Sequence, residues 1–439
     1  MHLVSLAMSL DSPQNSRVNR DCTVELLIAQ CRDKLPSRSD LGGTFVRSHS
    51  LATIQEESRM ALYELAILGA PTEDQVNALK RHLEAAADQF KLRIGEGISL
   101  VIQPAEFRPN KRVAAAAVFF GGTASVSCDI AKVLDRQSMP IIPVASTGTA
   151  VSAEIPLALR ALNCMFSDKV SLDRIFSALL ECVGLLPRQR RVFLSYRRNE
   201  ATAAAVQLFA ELSARQFEVF LDTHVIGPAV DFQEALWHQL CDVDVLVMLE
   251  TPNYFEGRWT SAEYGRALSK GIGVLRVQWP DSTPSIHTGT ASRAEILAGE
   301  LDAIGMLAHS AVERICAQLE DVRSLSHATR QLSMINAVQD AIERVEGQVD
   351  GIGANRTMHL TLRSGRRLVV QPTIGVPTAL TLQDAFERAG AVECAVVYDH
   401  IGLKRAWQLH LDWLASNVQG ARWIKTTDAA WDFGGWEAT

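Results

Sequence analysis

Between Arg190 and Asp281, short apolar runs alternate with stretches of helical spacing, and this alternation leaves few architectures open. Val192-Phe193-Leu194 reads as a buried strand that ends in a polar turn, Ser195-Tyr196-Arg197-Arg198-Asn199-Glu200. A helical run from Ala203 to Arg215 follows, with apolar residues at Val206, Leu208, Phe209 and Leu212. Phe217 to Leu221 is a second strand, Phe232 to Leu240 a helix, and Val243 to Leu249 another strand. Trp259-Thr260-Ser261-Ala262-Glu263 then opens a further helix. Parallel neighbours need a crossover, and a helix of this length supplies one, so the pattern predicts a parallel sheet covered on both faces.

The rest of the chain is too long for the same core. At 439 residues, two to four domains are expected, and 47% apolar residues suffice to fill them. The eight cysteines are scattered with no C-x-x-C pair, which is the usage of a reduced, cytoplasmic protein and offers no metal site. A net charge of −7 gives no basic field, so nucleic acid is not expected as a partner. Val113 to Phe120 is the longest apolar run and falls far short of a membrane span, so no membrane partner is expected either.

Composition shifts divide the chain further. Residues 1–58 read as an N-terminal arm, and 59–187 as a Rossmann-like α/β domain. There, Val113 to Phe120 is a buried strand broken by Gly121-Gly122-Thr123, a helix runs from about Val126 to Arg136, and the strand Pro140 to Val144 precedes Ala145-Ser146-Thr147-Gly148-Thr149. Small residues after parallel strands let a ligand approach the backbone, and a following helix offers its N–H groups to an anion. Gly121, Gly122, Thr123, Ser146, Thr147 and Gly148 are therefore a candidate ligand site. The alternative is a doubly wound domain whose glycines merely end strands. Residues 188–310 hold the alternating core, 311–350 a helical connector, and 351–439 a small α/β segment bounded by Gly351 and Gly353. In the helical stretch two helices are read, the first completing the alternating core. Five of the eight tryptophans lie in the last segment, as core and an apolar interface.

The central stretch resembles a TIR domain. Phe193-Leu194-Ser195-Tyr196-Arg197-Arg198 is similar to that family's first box, Asp222 to Phe232 to its BB loop, and Asn253 to Glu263 to its tryptophan–glutamate block. The resemblance implies a flavodoxin-like sheet and, in catalytic members, cleavage of the nicotinamide–ribose bond of NAD by the glutamate four residues after the tryptophan. Here those residues are Trp259 and Glu263. Tyr196, Arg197 and Arg198 would line the NAD pocket, Trp259 would stack on a ring, and Asp222 would shape the BB loop. Two departures touch the pocket: Gly257-Arg258 stands before the tryptophan, and Pro228-Ala229-Val230-Asp231 follows the BB-loop glycine. The glycine and serine clusters upstream resemble the SLOG family, which implies a nucleotide-sensor site there, with a nucleotide or an ADP-ribose derivative as activator.

Glu263 has a structural rival. Thr260-Ser261-Ala262-Glu263 has the form of a capping box, in which Thr260 would cap the helix and Glu263 reach back to its N–H. His224 and His238 lie in no recognisable nucleophile–base pair and read as structural. The resemblance implies an NAD glycohydrolase, with NAD as substrate rather than cofactor, assembled as a homo-oligomer through TIR–TIR contacts and serving prokaryotic antiviral or stress defence. A cyclase making a nucleotide signal with the same glutamate, and a non-catalytic adaptor, remain alternatives.

Overall fold

The computed structural model describes residues 61–104, 107–109, 113–122, 139–221, 232–283, 288–289 and 291–437. The arm at 1–58, Thr123, the helix read at 126–136 and the BB-loop segment with Asp222 and His224 lie outside the described residues.

The first sheet contains β1 (Tyr63–Gly69), β2 (Ile98–Ile102), β3 (Ala114–Phe120), β4 (Ile141–Ala145) and β5 (Met165–Phe166), all parallel, in the order β2-β1-β3-β4-β5. Helix α1 (Glu73–Gln89) starts in a capping box between Thr72 and Gln75, and α2 (Leu172–Cys182) starts on Ser171. Leu79, Leu83, Ile175 and Leu179 of these helices bury one face of the sheet, while Ala66, Leu68, Ala117 and Phe119 face a second core. Burial on both faces is why the strands read as unbroken apolar runs.

The second sheet holds β6 (Arg191–Ser195), α3 (Arg198–Ala214), β7 (Glu218–Leu221), α4 (Phe232–Cys241), β8 (Val245–Glu250), α5 (Arg258–Ser269), β9 (Gly273–Gln278) and β10 (Ser292–Glu295). Its strands are parallel in the order β10-β9-β8-β6-β7, the flavodoxin-like arrangement expected. Successive strand residues point to opposite faces. Val192 and Leu194 therefore join the core under α3, while Phe193 and Met248 join the one under α4 and α5. From β6 the chain steps to β7 on one side, and β8 returns on the other. A crevice opens at the carboxyl ends of strands where the order reverses in this way.

The two helices read after this sheet are one. Helix α6 (His309–Arg344) has 36 residues, about 54 Å of length, with no glycine or proline to break it. Ile315 and Leu319 pack on the second sheet, Ala328 on the first, and Ile335, Val338 and Ile342 on a third. The apolar stripe turns around the axis to meet three different cores, and no single face reports the whole helix. At the meeting point Arg323, fully buried, donates to Glu181 at 3.0 Å and to Asp244 at 3.1 Å. Burial holds the Asp244 carboxyl above its usual range, with Arg323 opposing that shift.

The third sheet runs in chain order: β11 (Gln348–Ile352), β12 (Met358–Thr361), β13 (Arg367–Thr373), β14 (Glu393–Tyr398) and β15 (Ala421–Lys425). The first two pairings are antiparallel and the last two parallel, crossed by α7 (Ala379–Ala389) and α8 (Arg405–Asn417). Gly351 sits where the β11 register shifts, which is why the stretch reads as a boundary although it is an edge strand. The loop after β14 grips the second sheet. Asp399 accepts from Lys270 at 2.5 Å, Glu234 from the Arg405 N–H at 2.9 Å, and His238 Nδ1 from the Lys404 N–H at 3.3 Å. Burial, with Lys404 adding to it, pushes His238 down to about 4, so a neutral ring accepts that bond and serves structure. Among the described residues no helix is long and apolar enough to cross a membrane.

Candidate active site

The crevice between β6 and β8 is built from the last residue of one strand and the first turn of one helix. Ser195 ends β6 on the face that Phe193 shares with Met248 and Tyr254, and it is 2% exposed. After β8 a single 3-10 turn (Tyr254–Glu256) leads to Gly257, and α5 starts at Arg258. Thr260 is thus already inside the helix, and its hydroxyl donates to the carbonyls of Tyr254 at 2.5 Å and Gly257 at 3.0 Å. The capping box expected there does not form: the position before the helix is Gly257, which has no side chain to accept a bond, and Thr260 donates where a cap must accept. A Cβ at position 257 would lie 2.6 Å from Thr260 Oγ1, so glycine at that departure from the family pattern leaves room for the threonine hydroxyl.

Glu263 lies one turn further along α5, 3% exposed, and turns toward the sheet. Ser195 Oγ donates to Glu263 Oε2 at 2.5 Å, and Tyr254 Oη lies 2.6 Å from the same serine oxygen. Tyr254 is fully buried, and burial, with the Glu263 charge adding to it, raises its phenol well above the usual value. Above the carboxylate lies a cavity of 340 Å³ with Ser195 and Glu263 in its lining. Its walls are the turn from β6 into α3 (Tyr196, Arg197, Arg198) and the first turn of α5 (Gly257, Trp259, Thr260). Two helix N-termini thus border one small cavity, and their first N–H groups favour an anion. The volume lies within the range of about 300–1,000 Å³ usual for small-molecule sites.

Residues 192–298 match the family described as TIR domain. The chain contains a TIR domain. No curated protein matches the chain. The TIR match spans the second sheet through β10 and does not reach the first, so it says nothing of the SLOG resemblance.

Within the TIR domain the expected site residues take different places. Trp259 is 41% exposed at the cavity wall rather than in a core. Tyr196 is 7% exposed and packs with Val192 and Leu194, so it backs the wall. Arg197 Nη1 donates to the Asn253 carbonyl at 2.6 Å and to Glu256 at 3.0 Å, tying the first box to the 3-10 turn. Arg198 is exposed at the first position of α3. Ser195 and Tyr254 carry no assigned role in the sequence reading. The available signal is a hydroxyl residue closing an apolar strand on the side of Phe193.

The upstream candidates meet at the first sheet's carboxyl edge. The Ser146 N–H and Oγ each donate to the Glu154 carboxylate at 2.6 Å, holding that carboxyl below its usual range. A Cβ at Gly121 would lie 2.8 Å from Glu154 Cβ, and one at Gly122 2.7 Å from Ala70 Cβ, so both glycines permit close packing. The hydroxyls of Thr147 and Thr149 lie 3.1 Å apart, and Gly148 faces the Phe166 ring. A larger cavity of 680 Å³ lies between the amino ends of the TIR strands and β13. Several of its charges pair within one wall, Arg191 with Glu218 and Asp242 on the TIR side and Arg388 with Asp384 along α7, and Arg330 donates to the Val243 carbonyl. In the smaller TIR cavity the buried Glu263 carboxylate forms part of the lining. Among the described residues no cluster of histidine, cysteine and carboxylate side chains could hold a metal ion.

Proposed function

We propose that the TIR domain cleaves the nicotinamide–ribose bond of NAD, with Glu263 opposing the charge that develops on the ribose. The bond between ribose C1′ and the nicotinamide nitrogen breaks, and its electron pair leaves with nicotinamide, which becomes neutral. The ribose is left as an oxocarbenium-like cation that water attacks, giving ADP-ribose, nicotinamide and a proton. The leaving group is already cationic, so no acid is needed to protonate it. A carboxylate in a water-poor site is the group such a transition state requires. The observation that carries this reading is the buried Glu263 carboxylate, held by a strand serine at a cavity wall instead of capping its own helix. Trp259 offers a face to a ring, and the amino ends of α3 and α5 offer N–H groups to the pyrophosphate.

Self-association through TIR–TIR contacts and a role in antiviral or stress defence belong to the same proposal, and a rate per subunit that rises with protein concentration is its signature. The test is NAD consumption by purified protein at high concentration, wild type beside Glu263→Gln, with products separated chromatographically. Nicotinamide release by the wild type alone supports the proposal, and free or cyclic ADP-ribose then names hydrolase or cyclase. NAD left intact by both proteins, with TIR–TIR binding retained, supports the adaptor instead.

A further inference from the structure

Below Glu263 the hydrogen bonds run in one direction. Ser195 has a single hydroxyl proton, and at 2.5 Å from Oε2 that proton goes to Glu263. The Tyr254–Ser195 contact at 2.6 Å must then be a bond donated by the tyrosine. Tyr254 packs among Phe193, Leu236 and Met248 with its hydroxyl fully buried, where that hydroxyl needs a partner, and Ser195 stands between it and the cavity. A fully satisfied buried polar chain rigidifies the groups it holds. We infer that Tyr254 and Ser195 form a one-way positioning relay that fixes the orientation and the negative charge of the Glu263 carboxylate toward the cavity. This rests on the proposed cleavage of NAD and adds two residues that act through the Glu263 carboxylate.

The relay acts on the carboxylate and not on the rim that binds the nucleotide. Removing the Ser195 hydroxyl takes a bond from the ionised form of Glu263, so a higher pH is needed to ionise it. In Ser195→Ala, kcat falls by about ten- to a hundredfold at neutral pH while KM for NAD stays near the wild-type value. The acid limb of the pH profile moves to higher pH. Tyr254→Phe acts only through Ser195 and costs less, about three- to tenfold in kcat. The double variant is no slower than Ser195→Ala alone, a non-additivity that two independent packing roles would not produce.

The experiment is steady-state NAD cleavage against pH for the wild type, both single variants and the double variant, with NAD binding by calorimetry as the check that each pocket is formed. A lower kcat, an acid limb moved upward and a double variant equal to Ser195→Ala are expected. If Ser195→Ala binds NAD and keeps the wild-type kcat and pH profile while Glu263→Gln is inactive, the relay is wrong and the proposed reaction stands. If the wild type releases no nicotinamide, the proposed reaction fails and the relay fails with it. Should Ser195→Ala not fold, Tyr254→Phe decides the matter by the same acid-limb shift.

Discussion

Ser195 ends one parallel strand and Ser146 follows another, and each gives its hydroxyl proton to a glutamate. Ser146 meets Glu154, eight residues away, at an exposed edge, and both its N–H and its hydroxyl close on that carboxylate. Ser195 meets Glu263, 68 residues away, in the interior, and is itself backed by the buried Tyr254. The first pair is a local turn that water can replace at little cost. The second places a charge where its desolvation must be offset, and it borders a cavity with two helix N-termini. The same two residue types therefore close a loop in one sheet and present a charge in the other, and burial makes the difference.

The sharpest way to break this contrast is to neutralise both carboxylates. Glu263→Gln keeps the shape and removes the charge, and NAD cleavage should fall by about 10²–10³-fold, whereas Glu154→Gln should leave nicotinamide release at the wild-type rate. Equal losses would put the two pairs in one class. A second large effect separates burial from chemistry. Arg323 is fully buried between Glu181 and Asp244, away from the TIR cavity's lining. Arg323→Ala takes the paired cation from buried Asp244 and one of three arginines from Glu181, and should lower unfolding stability by about 3–5 kcal/mol in denaturant titrations, with kcat per folded molecule unchanged.

Smaller effects sharpen the comparison. Trp259→Ala removes an exposed ring from the cavity wall and should raise KM for NAD about five- to tenfold with a modest change in kcat, as initial rates will show. The least effect is expected at Glu154. Its folded carboxyl lies below the usual value because Ser146 bonds the ionised form, so its stabilising contribution is present above the unfolded pKa and is lost as pH falls through the folded one. The melting temperatures of wild type and Glu154→Gln should differ by about a degree at pH 7 and converge in strong acid.

Much of this was legible in the sequence because it is periodic. The alternation from Val192 to Glu263 gave the flavodoxin-like sheet, and the run Val113 to Phe120 gave the centre of the first one. Elements whose pattern is not periodic were hidden: β11 has a glycine at a register shift, the four-residue β10 is a polar edge, and α6 turns its apolar stripe among three cores. In the site, Glu263 and Trp259 stand out in a recognisable block, but the choice between cap and reactive carboxylate depended on where α5 begins. A start at Arg258 instead of one after Thr260 moves the glutamate from the first turn to the second, where it faces the sheet. Ser195 and Tyr254 are far apart in sequence and acquire a role only through the position of β6 beside β8.

The most direct measurement is nicotinamide release by wild type and Glu263→Gln at matched NAD occupancy, each occupancy fixed beforehand by calorimetry. The account predicts that both proteins bind NAD and that Glu263→Gln releases nicotinamide about 10²–10³-fold more slowly than the wild type. Release by Glu263→Gln at the wild-type rate would contradict it and return Glu263 to a purely structural place in the fold.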